Sequence, residues 1–309
     1  MISPSILDLH SLSKDKIESL FSLARKIKGS RDLLSPSRPL GTFRGALVFF
    51  EPSTRTRCSF EMACVHEGIY PLIFESGKNT SLEKGETFED TLLNLNAYHP
   101  HIFVIRAGNQ LDLPSMTKKL GTPVINAGWG THGHPSQALL DWMTIIESSQ
   151  QNENRKVRLV FVGDVKSSRV FSSHLELSSI LGYEIGVCCP ADFSPAPFQG
   201  PFIDSLDEAL SWGSHFMFLR VQRERHSSAS QILNENYLQK FGASENFLSK
   251  LREDQYFLHP GPVNYGVEMD LRVMNDRRCL VLKQAENGVP LRRALLKIVL
   301  GQDRAELFT

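Results

Sequence analysis

The sequence predicts an α/β protein with two doubly wound domains, each a parallel sheet flanked by helices, joined by interdomain helices. Short apolar runs alternate with amphipathic segments along the chain, which is typical of parallel sheets covered by helices. The alternation stops once, at the polar segment SSQQNENRK (148–156), and then starts again. A length of 309 residues is also sufficient for two domains.

Each element follows from the local pattern of apolar residues. Apolar runs predict strands at 46–50, 72–75, 102–105 and 124–125, and again at 158–162, 184–188, 215–219 and 256–258. Helical spacing predicts helices near 54–68, 86–97, 113–120 and 136–149, and then near 168–181, 205–212, 230–252 and 291–300. We therefore expect one domain at 1–148, a second at 149–288, and a C-terminal helix within 289–309 that packs back on the first domain.

Composition limits the classes of partner. Lys plus Arg and Asp plus Glu both number 34, so no overall charge attracts nucleic acid or an anionic membrane. The polar N-terminus and the lack of an apolar run of about 18 residues predict a cytoplasmic protein. Five cysteines without CxxC spacing indicate reduced thiols. His132 and His134 lack a nearby carboxylate or thiol ligand, so we expect neither a metal nor a cofactor.

Residues 52–57, PSTRTR, follow the first predicted strand and begin a predicted helix with positive charge. The first amide groups of a helix have no intrahelical partner, and the helix dipole is positive at that end. Arg55 and Arg57 add further positive charge where Asp or Glu is usual. Amides, hydroxyls and guanidinium groups together bind phosphate well. A capped surface helix with solvated arginines explains the hexapeptide equally well.

Polar residues also follow other predicted strands. Open α/β sheets bind ligands at the carboxyl ends of their strands. The candidates there are Ser81, Lys84, Arg106, His134, Gln137, Arg169, Arg220 and Gln222. Taken singly, Lys84 fits a solvated loop, His134 fits a turn and Arg220 fits a charged surface run. Their joint occurrence at successive strand ends favours a site for an anionic substrate.

Seven motifs occur in the order typical of one enzyme family: PSTRTRCSFE, SLEKGET, HPSQALLD, VGDVKSSR, LRVQRER, HPGPVNYGVE and QAENGVPLRRA. With them the sequence resembles the aspartate/ornithine carbamoyltransferases, and most of all the aspartate carbamoyltransferase catalytic chains. The resemblance implies a carbamoyl phosphate-binding domain at 1–148 and an aspartate-binding domain at 149–288. It also implies a homotrimer with shared active sites that acts in de novo pyrimidine (UMP) biosynthesis. Binding of regulatory chains or other pathway enzymes stays open.

The resemblance also implies roles for individual residues. Catalysis would fall to Arg55, Thr56, Lys84, Arg106 and His134. Carbamoyl phosphate would be bound by Ser53, Thr54, Arg55, Thr56, Ser81, Arg106, His134, Gln137, Gly261 and Pro262. Aspartate would be bound by Lys84, Arg169, Arg220 and Gln222, with Ser81 and Lys84 reaching in from a neighbouring subunit.

Three alternatives to aspartate transfer stay in view: transfer to ornithine, transfer to an acylated ornithine, and a non-catalytic metabolite-binding subunit. The ornithine enzymes typically carry HCLP and Ser-Met-Gly motifs, whereas this chain has HPGP at 259–262 and no Ser-Met-Gly. Paired arginines suit a dicarboxylate and would repel an ammonium group. The chain departs from the family pattern at Trp129, where a small acidic residue is usual, and at Ala107-Gly108, where many members have a histidine.

Overall fold

The computed structural model describes residues 5–30, 37–77, 80–149, 156–222 and 237–301. By their internal contacts these residues form two compact units. Unit 1 comprises the described residues of Met1–Leu140 and Ala285–Thr309, and unit 2 those of Asp141–Gln284. Each unit contains one four-stranded parallel sheet. None of the described helices has both the length and the apolar composition needed to cross a membrane.

Strands and helices alternate in both units. The strands are β1 (Phe43–Phe49), β2 (Ile69–Glu75), β3 (Ile102–Ala107), β4 (Val124–Trp129), β5 (Arg158–Gly163), β6 (Glu184–Cys188), β7 (His215–Leu219) and β8 (Tyr256–Leu258). The α-helices of the described residues are α1 (Lys14–Gly29), α2 (Thr54–His66), α3 (Phe88–Asn96), α4 (Leu113–Leu120), α5 (Pro135–Ser149), α6 (Arg169–Leu181), α7 (Leu206–Trp212), α8 (Tyr237–Phe241), α9 (Glu245–Lys250) and α10 (Val281–Val299).

The sheet of unit 1 has the strand order β2-β1-β3-β4, with all neighbours parallel. Strands β1, β3 and β4 are buried along nearly their whole length, because helices cover both faces of a parallel sheet. Strand β2 lies at the edge and is more exposed. All four carboxyl ends therefore lie along one side of the sheet.

The sheet of unit 2 repeats this arrangement with the order β6-β5-β7-β8. Phe247 of α9 packs edge-on against Phe216 and Phe218 of β7 and Phe257 of β8, with ring centroids 5.1–5.8 Å apart. Such aromatic pairs contribute about 0.5–1.5 kcal/mol each beyond the burial of their area. This cluster holds the short helix α9 against the sheet.

The structure confirms the α/β class, with two parallel sheets flanked by helices, and contains a strand at each of the eight predicted places. Two helix predictions were wrong in extent. The segment predicted at 230–252 contains two short helices, because Ser244 caps α9 by accepting a hydrogen bond from the amide of Phe247. Its residues 230–236 lie outside the described part of the chain.

The last helix was predicted to begin at 291, after Pro290, but α10 begins at Val281 and contains this proline. A proline removes one intrahelical hydrogen bond and normally ends a helix. Here Pro290 is buried, and the apolar residues Leu291 and Leu295 that follow it are fully buried. Packing therefore outweighs the local preference.

Buried ion pairs hold α10 to the end of α2 within unit 1. The carboxylate of Glu67, which is fully buried, lies 2.6 Å from Nε of Arg293 and 2.9 Å from Nζ of Lys297. The hydroxyl of Ser37 donates a third bond, 2.8 Å, to the same carboxylate. A buried charge is tolerated only when it is paired in this way.

We expect Glu67→Gln to lower the free energy of unfolding by about 3–5 kcal/mol, since it leaves the charge of Arg293 buried without its counter-ion. Glu89→Gln is the matched control, because Glu89 pairs with Lys119 at a half-exposed site and such pairs contribute less than about 1 kcal/mol. Urea unfolding of both variants measures the difference. Equal losses in the two variants would contradict this account.

Candidate functional site

The first turn of α2 lacks the groups that usually satisfy a helix start. Ser53 precedes the helix, but its side chain accepts no hydrogen bond from a helix amide, and the first turn contains no acidic residue. By contrast, Ser13, Thr87 and Ser168 cap α1, α3 and α6 with side-chain oxygens. The first-turn amides of α2 therefore lack the side-chain cap found at those three helices, at the positive end of the helix dipole.

The two arginines of this stretch have different surroundings. Arg57 is partly buried, and its guanidinium lies 2.9 Å from Glu61 and 3.0 Å from Glu75. Its charge is therefore balanced inside the protein. The side chain of Arg55 is exposed at the start of α2. Of these two arginines, Arg55 is therefore the more exposed one and lies in the first turn of α2.

Arg106 lies beside the strand that leads into α2. It pairs in parallel register with Phe49, and its carbonyl accepts a 2.8 Å hydrogen bond from the amide of Phe50. Its guanidinium is largely buried and lies 3.7 Å from the carboxylate of Glu51. The parallel pairing thus fixes Arg106 next to the segment that carries Ser53 and Thr54.

Thr56 and His134 approach each other although 78 positions separate them in the chain. The hydroxyl Oγ1 of Thr56 lies 3.4 Å from Nε2 of His134, and both side chains are buried. His134 precedes α5, and its carbonyl accepts a hydrogen bond from the amide of Gln137, which is also buried. The structure therefore gathers the predicted residues of α2, β3 and the β4–α5 loop at one side of the unit 1 sheet.

Asn126 holds the β4–α5 loop and was missed by the sequence reasoning. It is fully buried, donates to the carbonyls of Leu7 and Gly133, and accepts from the amide of Gly128. One side chain thus fixes a carbonyl near the N-terminus, an amide within β4 and the carbonyl of the residue that directly precedes His134. The only available sequence signal was a polar residue inside the apolar strand VINAGW.

Trp129, an unusual residue in the resemblance, is anchored by its indole. The Nε1 group donates a 2.7 Å hydrogen bond to the carbonyl of Leu111, and the ring stacks on His132 with centroids 4.0 Å apart. Gly130 follows at a φ of 47°, where an added Cβ would clash with the side chain of Asn109. The loop around His134 is therefore tightly fixed.

Ser81 and Lys84 lie on a 3-10 helix (Ser81–Lys84) that follows β2 and ends at Gly85, whose φ is 93°. Leu82 packs against the core, while Ser81 and Lys84 are exposed. Within the described residues, no hydrogen bond or ion pair joins either side chain to the cluster around Thr56. Residues 78–79, which precede this 3-10 helix, lie outside the described part of the chain.

In unit 2, the residues predicted to bind aspartate follow β5 and β7, which pair in parallel up to Gly163 and Leu219. Arg169 is the first residue of α6, and Arg220 and Gln222 come directly after β7. Both arginines are partly exposed. The charged run at 223–225 lies outside the described residues.

Asp164 links these two loops, and the sequence reasoning missed it. Its side chain is fully buried, and its carboxylate accepts hydrogen bonds of 3.0 Å from the amide of Gln222 and 3.4 Å from the amide of Ser167. The side-chain amide of Gln222 in turn donates 2.9 Å to the carbonyl of Ser167. The sequence signal that could have identified it is an aspartate directly after the glycine that ends an apolar run.

Gly261 and Pro262, assigned to carbamoyl phosphate by the resemblance, lie in unit 2, unlike the other residues of that set. They follow β8 and are joined by a cis peptide bond. The amide of Gly261 donates a 2.8 Å hydrogen bond to Nδ1 of His259.

The five cysteines are all free thiols. Burial raises the pKa of Cys188 to about 12 and that of Cys189 to about 12. Burial likewise raises the pKa of Cys64 far above its usual value. A thiol must ionise to attack a substrate, so these three cysteines are unsuited to nucleophilic catalysis.

Comparison with known proteins gives consistent matches over both units. Residues 5–147 match the family model of the aspartate/ornithine carbamoyltransferase carbamoyl-P binding domain, and residues 155–299 match that of the Asp/Orn binding domain. The aspartate carbamoyltransferase catalytic subunit of Desulfosudis oleivorans is 36% identical, over 97% of this chain and 96% of that protein. The corresponding subunit of Aquifex aeolicus is 33% identical, over 96% and 99%.

Solved structures of the same family share the fold. Aspartate transcarbamoylase from Trypanosoma cruzi, in complex with carbamoyl aspartate and phosphate, has a TM-score of 0.78 at 25% identity, covering 95% of this chain and 94% of that one. Ornithine carbamoyltransferase from Thermus thermophilus has a TM-score of 0.80 at 25% identity, covering 96% and 98%. This chain belongs to the aspartate/ornithine carbamoyltransferase family.

Proposed function

We propose that this chain transfers the carbamoyl group of carbamoyl phosphate to the α-amine of L-aspartate, giving N-carbamoyl-L-aspartate and phosphate. The observation that carries the proposal is the approach of Thr56 and His134 to 3.4 Å beside the start of α2, with Arg106 on the strand that pairs with the one leading into α2. This arrangement offers donors to both an anionic phosphate and a developing oxyanion. Catalytic subunits named for the same reaction are about 35% identical over nearly the whole chain.

The phosphate of carbamoyl phosphate binds to Ser53, Thr54, Arg55, Thr56 and Arg106 in this proposal. Thr56, Arg106 and His134 donate to the carbonyl oxygen, on which negative charge develops in the tetrahedral intermediate. The 3.4 Å separation of Thr56 and His134 supports their action on one oxygen. Gln137 and the backbone at Gly261 and Pro262 take the amino group.

The chemical step forms one bond and breaks one. The neutral amine of aspartate attacks the carbonyl carbon, and the tetrahedral intermediate collapses as the bond from carbon to the phosphate oxygen breaks. The electron pair leaves with phosphate, whose charge Arg55 offsets. The amine loses a proton, and the departing phosphate is an acceptor that the reaction itself supplies. Alignment of the two substrates is worth up to about 7–11 kcal/mol of the barrier.

Aspartate, rather than ornithine, suits the cations of unit 2. Arg169 and Arg220 bind its two carboxylates in this proposal, and Gln222 adds a neutral donor. Two guanidinium groups attract a dicarboxylate and repel the side-chain ammonium of ornithine. The buried carboxylate of Asp164 is already bonded to backbone amides, so its location does not favour a cationic substrate.

We further propose a cytoplasmic homotrimer in pyrimidine biosynthesis, in which Ser81 and Lys84 act in a neighbouring subunit's site. Their exposure at the end of edge strand β2 supports this role. Tyr70, Leu72 and Ile73 of β2 are also exposed, and apolar side chains on an edge strand favour burial against another chain. Regulatory chains or pathway enzymes are further possible partners.

The substrate proposal is tested by supplying carbamoyl phosphate with L-aspartate, L-ornithine or N-acetyl-L-ornithine in parallel assays. We expect carbamoyl aspartate as the dominant product, because the amino acid pocket is cationic. A folded protein that forms no carbamoyl aspartate would refute the proposal. Calorimetric binding of carbamoyl phosphate without turnover of any amine would support the non-catalytic alternative instead.

Arg55→Ala is expected to lower kcat by at least about 100-fold, because removal of one preorganised donor to a developing charge typically lowers kcat by about this factor or more. Arg57→Ala is the matched control, because its guanidinium is engaged by Glu61 and Glu75. Steady-state kinetics with both substrates, together with circular dichroism, separates loss of chemistry from loss of fold. Similar kcat values for the two variants would exclude the leaving-group role of Arg55.

Asp164→Asn is expected to raise the KM for aspartate about tenfold or more, because an amide cannot accept from both backbone donors as a carboxylate does. Inhibition by inorganic phosphate should stay unchanged, since the phosphate residues lie in unit 1. Asp192→Asn, at an exposed position, serves as the control. The positioning role fails if phosphate inhibition weakens as much as aspartate binding.

A further inference from the structure

The segment 259–262 has no backbone N–H left to offer a ligand. Pro260 and Pro262 carry no N–H group. The amide of His259 donates 3.0 Å to Oε1 of Gln284, and the amide of Gly261 donates 2.8 Å to Nδ1 of His259. The backbone of this segment can therefore offer a ligand only carbonyl oxygens.

Gln284 is held in one orientation by a buried carboxylate. Its Nε2 group donates a 2.7 Å hydrogen bond to Oδ1 of Asp141, whose side chain is fully buried. An ionised carboxylate only accepts hydrogen bonds, so the NH₂ end of Gln284 must face Asp141. The oxygen end then faces the amide of His259.

A hydrogen bond likewise holds the ring of His259 in one tautomer. Because Nδ1 accepts the proton of the Gly261 amide, the ring proton must lie on Nε2. Nε2 lies 3.5 Å from the carboxylate of Glu268, and both side chains are fully buried. The same carboxylate accepts a 2.6 Å hydrogen bond from the backbone amide of Asn264, so Glu268 contacts both ends of the segment 259–264.

We propose that Gln284 and His259 are positioning residues that make 259–262 an acceptor-only lining, which selects the amino group of the carbamoyl substrate. A carbamoyl NH₂ donates two hydrogen bonds, whereas a methyl group donates none. Acyl phosphates without the amino group are therefore poor ligands. This inference rests on the proposed function.

The test compares two stable ligands that differ only at this group: phosphonoacetamide, with an NH₂, and acetonylphosphonate, with a CH₃ in its place. Calorimetry gives the ratio of their dissociation constants for wild type and for Gln284→Met. We expect the wild-type protein to bind phosphonoacetamide more tightly than acetonylphosphonate. In Gln284→Met the ratio of the two dissociation constants should fall about tenfold. Affinity for acetonylphosphonate and for inorganic phosphate should stay the same.

Gln255→Met is the matched control. Gln255 is also fully buried in unit 2 and bonds to the backbone of Leu210, Gly213 and Arg252, so its loss destabilises the fold without touching 259–262. If Gln284 had a merely structural role, Gln284→Met would behave like Gln255→Met. Each variant would then bind phosphonoacetamide and acetonylphosphonate more weakly by the same factor. An unchanged ratio in Gln284→Met, with wild type active, would overturn this inference alone.

Two variants of His259 provide a test that does not depend on whether Gln284→Met folds. His259→Asn can retain an acceptor for the amide of Gly261, whereas His259→Leu cannot. We expect the ligand ratio to be kept in the first and lost in the second. Equal ratios in both would contradict the inference. A wild-type protein that binds neither phosphonate and shows no turnover would refute the proposed function itself.

Discussion

The parallel pairing of neighbouring strands is the constraint on which both groups of candidate residues depend. Phe49 of β1 lies opposite Arg106 of β3, and Gly163 of β5 lies opposite Leu219 of β7. Parallel strands end on the same side, so the segments that follow them start next to each other. Residues 50 to 60 positions apart in the sequence are thereby brought together before any side chain interacts.

Helices and buried side chains then decide which of these neighbouring groups stay available. Arg57 is drawn toward Glu61 and Glu75, whereas Arg55, two residues earlier, is exposed at the start of α2. Asn126 bonds to the backbone of Leu7, Gly128 and Gly133, and the last of these directly precedes His134. Packing and polar networks thus separate an arginine held between two carboxylates from one at the exposed start of the helix.

The sequence predicted the sheets well because a strand buried on both faces leaves a continuous apolar run that needs no knowledge of its partners. Helix ends were predicted less well where packing overrides local preference, as at Pro290 in α10. Among the site residues, Asp164 and Gln284 were missed because each accepts from a backbone amide distant in sequence, that of Gln222 and that of His259. A distant backbone partner cannot be identified from residue type.

The buried carboxylates share one property that neutral residues lack. Asp164 and Asp141 each accept from fixed donors, and neither can donate while ionised. An asparagine at the same place could satisfy its neighbours in either of two amide orientations, and so could turn a donor toward a ligand. A carboxylate permits only one arrangement. The cost of burying the charge is therefore offset because the carboxylate fixes which backbone groups of the neighbouring segments are donors and which are acceptors.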